Sequence, residues 1–299
     1  MTMLAKIYRT LFPASFRKHL YDAFLGKMLY ALRHSKVRLS GRFWQVAGLF
    51  IKLSERQQAL AFIGKHGITS YPADYSLKYK TQGISVEHDA ALGLPWVLHN
   101  GRKLYFPANM KPEQVARLYR SLITEQDPKA AHRYVEDYAS LKGYTLLDVG
   151  AAEGIFSLDV IELVDKVYLF EYEPYWLAPL NATFTPWQHK VEIVHRYVGD
   201  HDDEQFIRLD TLFAKETPSP LFLKMDIEGW ERSALAGASA LLQQNIRMRA
   251  SVTVYHRPDD PAVIGGIFRN AGFGTTLNPG YIYWGKRLST AIIRAEKQP

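Results

Sequence analysis

The chain has no cysteine among its 299 residues. That absence excludes a disulfide framework, a thiolate nucleophile and any thiolate-ligated metal site. It also suits a reducing compartment. Long hydrophobic runs are missing too. The longest apolar stretch, Phe43 to Ile51, has nine residues and includes Gln45, where a membrane span needs roughly 20. The first residues carry charge but no long apolar segment ahead of a small-residue cleavage site, so no secretion signal is expected. Cytoplasmic residence is the default expectation. Acids are scarce in one region only. Residues 1–60 hold eleven Lys and Arg against two acids, whereas 61–299 hold 26 against 28. The formal charge of +7 is therefore an N-terminal property. A nucleic-acid partner is disfavoured, because binding across a domain needs basic stripes over it.

What is present suffices for a core. Hydrophobic residues make up 47% and charged residues 22%, which argues against disorder. Residues 1–66 read as a basic, mainly helical N-terminal extension. Leu4, Ile7, Tyr8, Leu11 and Phe12, then Phe16, Leu20, Phe24, Met28 and Leu32, recur at helical spacing, with Pro13 between the two groups. Phe43 to Ile63 continues the pattern. The extension either packs its apolar faces on the rest of the protein or makes peripheral membrane contact through residues 1–60. The second alternative would put the protein on the inner face of the membrane. Residues 67–140 read as a mixed α+β segment on the acceptor side. Short apolar runs flank an Asn100-Gly101 turn, and a helix follows from Lys111 to Glu125 with Pro112 at its start.

From 141 to 299 the pattern alternates. Strands are expected at Thr145–Gly150, Lys166–Glu171, Lys190–Tyr197, Leu221–Asp226, Met248–Tyr255 and Thr290–Ala295. Helices are expected at Ile155–Val164, Trp176–Phe184, Trp230–Gln243 and Pro261–Ala271. This is the signature of α/β architecture, a doubly wound parallel sheet covered on both faces.

Three motifs fall at strand ends, where ligands bind in such sheets. The first is Asp148-Val149-Gly150-Ala151-Ala152-Glu153-Gly154, with Glu171 ending the next strand 23 residues after Asp148. That distance suits an acid holding a ribose hydroxyl. The small residues Gly150, Ala151 and Gly154 would let the backbone approach a ligand. The Gly-x-Gly-x-x-Gly dinucleotide fingerprint is absent, which weakens a nicotinamide-dependent oxidoreductase reading. Asp148 and Glu153 would repel a pyrophosphate but suit an ammonium or sulfonium, hence S-adenosylmethionine. The second motif is Lys224-Met225-Asp226-Ile227-Glu228-Gly229-Trp230-Glu231. Its charges either line a polar cleft or mark the end of the strand, since facing a core would be costly. The third is Val254-Tyr255-His256-Arg257. His256 is a candidate proton carrier, although a lone histidine serves as readily in a structural role.

Together, the Asp-Val-Gly-x-x-x-Gly run, Phe170-Glu171 and Lys-x-Asp-x-Glu-Gly resemble the FkbM family of S-adenosylmethionine-dependent methyltransferases. The resemblance covers roughly residues 145–297, and the Lys224–Gly229 block is its most specific part. It implies a Rossmann-like methyltransferase sheet. Asp148, Gly150 and Gly154 would form the cofactor loop, with Ala151 beside them and Glu153 near the methionine end. Glu171 would hold the ribose, with Tyr172 following it, and Asp200 would lie near the adenine. The Tyr172-Glu173 insertion leaves Glu171 and Glu173 both open for the ribose contact; strand phase favours Glu171. Asp226 and Glu228 would face the reacting centre.

The expected reaction is O-methylation of a sugar hydroxyl in a glycan or polysaccharide precursor, or of another small-molecule acceptor. Asp226 and His256 are the candidate bases and Glu228 the orienting acid. A divalent metal on Asp226 and Glu228 is a third route, though two ligands do not specify a site. A non-catalytic adaptor that kept the fold is the rival from another class. Tyr105, Glu125, His132 and Tyr134 are the residues to follow in the acceptor segment.

Overall fold

The computed structural model describes residues 34–299. The helical periodicity read before His34, including the break at Pro13, lies outside the described residues. Among the described residues two helices come first, α1 (Ser35–Ala47) and α2 (Glu55–His66). The expected continuous stretch from Phe43 to Ile63 is interrupted over 48–54. Ser54 restarts the helix with a capping box, its N–H donating to Gln57 Oε1 at 2.8 Å. The helices cross closely. A methyl on Gly41 would sit 2.5 Å from the Leu60 carbonyl oxygen, and one on Gly64 would sit 2.3 Å from the Gly41 carbonyl carbon.

A three-stranded antiparallel sheet follows: β1 (Glu87–Asp89), β2 (Leu94–His99) and β3 (Arg102–Tyr105). Asn100 and Gly101, both at positive φ, turn β2 into β3 as expected. Helix α3 (Pro112–Glu125) starts at its proline.

The remainder is built on a seven-stranded mixed sheet. Its members in chain order are β4 (Thr145–Val149), β5 (Lys166–Phe170), β6 (Val191–Val194), β9 (Leu221–Met225), β10 (Met248–Thr253), β11 (Gly274–Leu277) and β14 (Ile292–Lys297). The spatial order is β11-β14-β10-β9-β4-β5-β6. A small pair, β7 (Tyr197–Val198) and β8 (Phe206–Ile207), and a hairpin, β12 (Ile282–Trp284) and β13 (Arg287–Ser289), lie apart from it. Strands β6-β5-β4-β9-β10 are parallel. The chain winds outward from β4 in one direction through β5 and β6, and in the other through β9 and β10. The crevice between β4 and β9 is thus a topological switch point.

The helices cover both faces, one group on each. Leu146 and Phe222 share a buried cluster with α3, α4 (Ile155–Val160) and α5 (Pro174–Phe184). Leu147, Val149, Leu221, Leu223 and Met225 share another with α6 (Glu231–Ala236), α7 (Ser239–Gln243) and α8 (Asp260–Asn270). Each buried leucine or phenylalanine here contributes about 1.5–3 kcal/mol. Residues between Val97 and Tyr144 are part of the first cluster, so that stretch and the sheet share one core.

Four details differ from the sequence expectation. The last strand runs antiparallel between β10 and β11, and the edge strand β11 was not anticipated. The strand expected over Lys190–Tyr197 ends at Val194, and Tyr197 belongs to β7. The helix expected over Trp230–Gln243 breaks between α6 and α7. Gly237 there lies so close to the chain that a methyl on it would be 1.8 Å from the Gly199 carbonyl oxygen.

Candidate active site

The register of β4 and β9 sets Asp148 opposite Lys224. Both side chains are buried, with Lys224 Nζ 2.8 Å from Asp148 Oδ1. Ser157 donates to Asp148 Oδ2 at 2.6 Å, and Lys224 also donates to the Gly150 carbonyl at 2.6 Å. Burial alone would lower the Lys224 pKa, but the carboxylates around it, Asp148 foremost with Asp226 and Glu153, outweigh that and raise it. Asp148 is therefore spent on an internal pair that ties two strand ends together. Its charge is not free for a ligand.

The loop after β4 follows from close packing. Gly150 has φ of 79°, and a methyl on it would sit 2.0 Å from the Asp226 carbonyl oxygen. Gly154 starts α4 in the left-handed region, where a methyl would strike Phe184 and Leu180. These glycines let the loop pass the β9 end and α5. Gly150 and Ala151 also line the cavity described below. Gly150 and Ala151 both donate to the Phe170 carbonyl. Ala152, at φ of 47°, donates to Glu171 Oε2 at 2.9 Å. Glu173 donates its N–H to Glu171 Oε1 at 2.8 Å. Glu171 is thus buried and aimed by two backbone donors. Each oxygen keeps a lone pair for another donor.

These residues line a cavity of about 650 Å³ at the switch point. Seven carboxylates reach it, from Glu125, Asp148, Glu153, Glu171, Glu173, Asp226 and Glu228, against the cations Lys224 and Arg196. With Asp148 neutralised by Lys224, the balance is strongly negative. Burial pushes the Glu153 carboxyl up to about 8, with Glu125 and Asp148 adding to the rise. Burial also raises Glu171, against its two backbone donors. The outer wall is aromatic. Tyr172 and Tyr197 have ring centroids 4.0 Å apart, and Phe206 and the exposed Trp230 extend the row. Glu173 is exposed and accepts from Tyr197 at 3.3 Å, so Glu171 is the deeper of the two acids. Asp200 lies outside this lining. Its exposed carboxylate pairs with His201 at 2.9 Å, and Tyr197 and Val198 just before it line the cavity instead.

Strand β9 ends at Met225, so the Lys-x-Asp-x-Glu alternation stops at Asp226. Glu228 adopts φ of 55°, and its side chain is largely exposed at the rim. Asp226 Oδ2 accepts from Tyr134 at 3.0 Å, and Oδ1 accepts from Tyr255 at 3.5 Å. Buried His132 lies between two acids, Nε2 3.6 Å from Asp226 Oδ2 and Nδ1 3.4 Å from Glu125 Oε1. Tyr71 donates to Glu125 Oε2 at 3.0 Å. Three of the four residues singled out in the 67–140 segment by sequence, Glu125, His132 and Tyr134, therefore converge on Asp226. The fourth, Tyr105, donates to Asp89 instead. Tyr71 is marked by nothing in its spacing, and Tyr255 only by its place in the Val254–Arg257 motif.

His256 is buried, with Nδ1 3.0 Å from Glu231 Oε1 and Nε2 3.4 Å from Glu228 Oε2. Burial would lower its pKa, but the two carboxylates outweigh that and raise it to about 10. It is an imidazolium at neutral pH and has no free basic nitrogen. Asp226, Glu231 and His256 offer ligand atoms within 4.8 Å of one another. However, Glu231 Oε1 already accepts from Ile227, Gly229 and Thr253. That oxygen holds the 227–229 loop in place and is ill-suited to a metal.

Residues 165–274 match the model of the methyltransferase FkbM domain family. Among solved structures, the chain is similar to a methyltransferase FkbM from Methylobacillus flagellatus KT, with 16% identity and a TM-score of 0.40. That match covers 81% of this chain, and the chain spans 66% of the length of that protein. A putative methyltransferase from Streptococcus mutans in complex with SAH is also similar (14% identity, TM-score 0.38), over 54% of this chain and 93% of that one. A putative RNA methyltransferase from Pyrococcus horikoshii is a third, with 13% identity, a TM-score of 0.37, and coverage of 76% and 98%. No curated protein is matched.

Proposed function

We propose that this protein uses S-adenosylmethionine to methylate a hydroxyl oxygen of a sugar or glycan precursor. The observation that carries the reading is the excess of carboxylates in the switch-point cavity. A cleft of one sign concentrates ligands of the other, which favours a sulfonium and an ammonium over the phosphates of a dinucleotide. When bound, S-adenosylmethionine supplies an electrophilic methyl group on its sulfonium. The donor set fits it. Glu171 keeps lone pairs for a ribose diol, Tyr172 and Val198 offer apolar surface, and Glu153 offers a carboxyl for the cationic end.

The acceptor hydroxyl must lose a proton as it attacks. Asp226 takes the base role, because His256 is already protonated. Tyr134 and Tyr255 hold the Asp226 carboxylate in one orientation, and His132 with Glu125 stands behind it. A proton arriving on Asp226 therefore meets a buried imidazole with a second carboxylate beyond it. The exposed Trp230 ring beside Asp226 and Glu228 gives the C–H face of a sugar a surface to stack on, and the rim acids give its hydroxyls acceptors.

The test is Asp226→Asn, with calorimetry and turnover on a panel of sugar and glycan acceptors. Affinity for S-adenosylmethionine should hold, while kcat falls about 10²–10⁴-fold, as expected for loss of a general base. Wild-type kcat would remove Asp226 from the chemistry. Absence of S-adenosylmethionine binding to the wild type would end the reading itself.

A further inference from the structure

The most unusual surface of the described chain lies away from the cavity. Leu39, Phe43, Val46, Leu49, Phe50 and Ile51 are large apolar side chains between 56% and 82% exposed. They lie within 13 residues of one another in the sequence. At 100° per residue, Leu39, Phe43 and Val46 fall within an arc of about 60° on α1. Leu49, Phe50 and Ile51 continue the apolar surface through the turn that follows. Gly41 projects from the opposite side of the helix and is buried against Gly64 of α2. The stripe therefore faces outward because the other side of α1 is locked down by a backbone-to-backbone crossing.

Its borders are cationic. Lys36 and Arg42 lie about 60° to either side of the stripe. Both are exposed, as are Arg38, Lys52 and Arg56. Residues 34–54 contain Lys36, Arg38, Arg42 and Lys52 and no aspartate or glutamate. An exposed apolar stripe with cations on both flanks is the geometry of a helix lying in a membrane interface. Its apolar side chains enter the acyl boundary and its lysines and arginines reach the headgroups. A protein partner of ordinary composition would satisfy the stripe but leave a wholly cationic border unmatched. An anionic headgroup layer matches both.

We propose that the face formed by α1 and residues 48–52 binds the surface of a bilayer rich in anionic phospholipid. The platform is attached to the catalytic domain by defined contacts. Ala59 and Ile63 of α2 pack on Tyr283 and Leu288 of the β12–β13 hairpin. His34 Nδ1 lies 2.7 Å from the Tyr283 hydroxyl, and Glu55 accepts from the Gly280 N–H at 3.3 Å. The next residue, Trp284, has its ring 5.5 Å from Tyr255 and 6.2 Å from His256, centroid to centroid. The same hairpin thus supports the platform on one side and backs the catalytic strand ends on the other. Bilayer binding does not depend on methyl transfer. It would stand if the acceptor proved not to be a glycan.

Co-sedimentation of the full chain with vesicles tests this. Vesicles containing phosphatidylglycerol are compared with pure phosphatidylcholine, at low salt and at about 1 M salt, where the Debye length falls to about 3 Å. The wild type should sediment with the phosphatidylglycerol vesicles at low salt and lose at least tenfold in partitioning at high salt or on phosphatidylcholine. A variant with Leu39→Gln, Phe43→Gln and Phe50→Gln should lose at least tenfold on the anionic vesicles. So should one with Lys36→Glu and Arg42→Glu. Thermal unfolding and S-adenosylmethionine affinity should be unchanged in both, because these side chains are exposed and distant in contact terms from the cavity. Equal binding to both lipids would overturn the proposal. Undiminished binding by either variant would place the contact outside this face and also overturn it. A concentration-dependent dimer that the Gln variant abolishes, without vesicle binding by the wild type, would assign the face to a second copy instead.

Discussion

At the carboxyl ends of β4 and β9, charged side chains are buried and matched to one another. On α1 they are exposed and surround an apolar stripe. The two regions invert each other's rule. In the cavity, burial makes each charge expensive, so Asp148 takes Lys224, His256 takes Glu228 and Glu231, and Glu153, with no partner of opposite sign in contact, has its pKa pushed up to about 8. On α1, water screens the exposed Lys36 and Arg42, and the apolar side chains are the ones out of place. Charge in the first region is held by internal partners. In the second it is available to an outside surface.

The comparison breaks most visibly if the buried pair is opened. Lys224→Met leaves the Asp148 carboxylate buried and uncompensated, and should cost about 3–5 kcal/mol in urea unfolding. Adding Asp148→Asn should recover much of that loss, since the stranded charge is then gone. A cost below about 1 kcal/mol for Lys224→Met would mean that water reaches the pair. Reversing an exposed α1 cation, as in Arg42→Glu, should stay within about 0.5 kcal/mol.

The next effect is one of pH. The Glu153 carboxyl, ordinarily near 4.5, is raised to about 8. Between those values the folded protein holds a proton that the unfolded chain has released. Stability is fully present below about 4.5 and falls as pH rises towards 8, by at most about 1.4 kcal/mol per pH unit. Glu153→Gln should flatten that decline. His256 has the same sign in a later window, its contribution being lost between about 6.5 and 10. A cationic ligand favours the Glu153 carboxylate, so S-adenosylmethionine should bind more tightly as pH rises through about 8. Calorimetry in buffers of different ionisation heat should register proton release. Proton uptake, or none, would place the ligand's charge elsewhere.

Gly41→Ala addresses the other region. The new methyl would sit 2.5 Å from the Leu60 carbonyl oxygen, and overpacking costs about 1–3 kcal/mol, offset by about 1 kcal/mol of helix propensity. A net loss of up to about 2 kcal/mol in denaturant unfolding is expected, with S-adenosylmethionine affinity unchanged. A change in that affinity would show that the platform and the cavity are coupled through the β12–β13 hairpin.

The two regions also differ in how far the sequence disclosed them. Asp148, Glu153 and Glu171 were legible because each stands at a fixed offset from a strand end, and strand ends follow from local periodicity. The parallel core strands were legible for the same reason. The reversal of β14 was not, because a strand's residues are the same in either direction. Nor could spacing assign Asp148 to Lys224, since the pair depends on β4–β9 register across 76 residues of chain. The convergence of Glu125, His132 and Tyr134 on Asp226 is long-range in the same way. Of α1, the sequence showed both the apolar stripe and the cations. It could not show which side of the helix would be covered, because that is set by the Gly41–Gly64 crossing.

The smallest expected effect concerns backbone strain. Among the described residues, four other than glycine have positive φ, and two of them, Ala152 and Glu228, line the cavity. Helices α1 and α2 contain none. The left-handed region costs an alanine about 1–2 kcal/mol, and the fold tolerates it where Ala152 must present its N–H to Glu171 Oε2. Glycine at this position would relieve the strain, while the unfolded chain would gain about 0.4–1 kcal/mol of conformational freedom. Ala152→Gly should therefore stabilise the protein by about 0.5–1 kcal/mol in thermal unfolding and leave S-adenosylmethionine affinity unchanged. If affinity falls instead while stability rises, the strained alanine is what holds the Glu171 carboxylate in place. The cavity would then differ from the helical platform in conformational constraint as well as in charge.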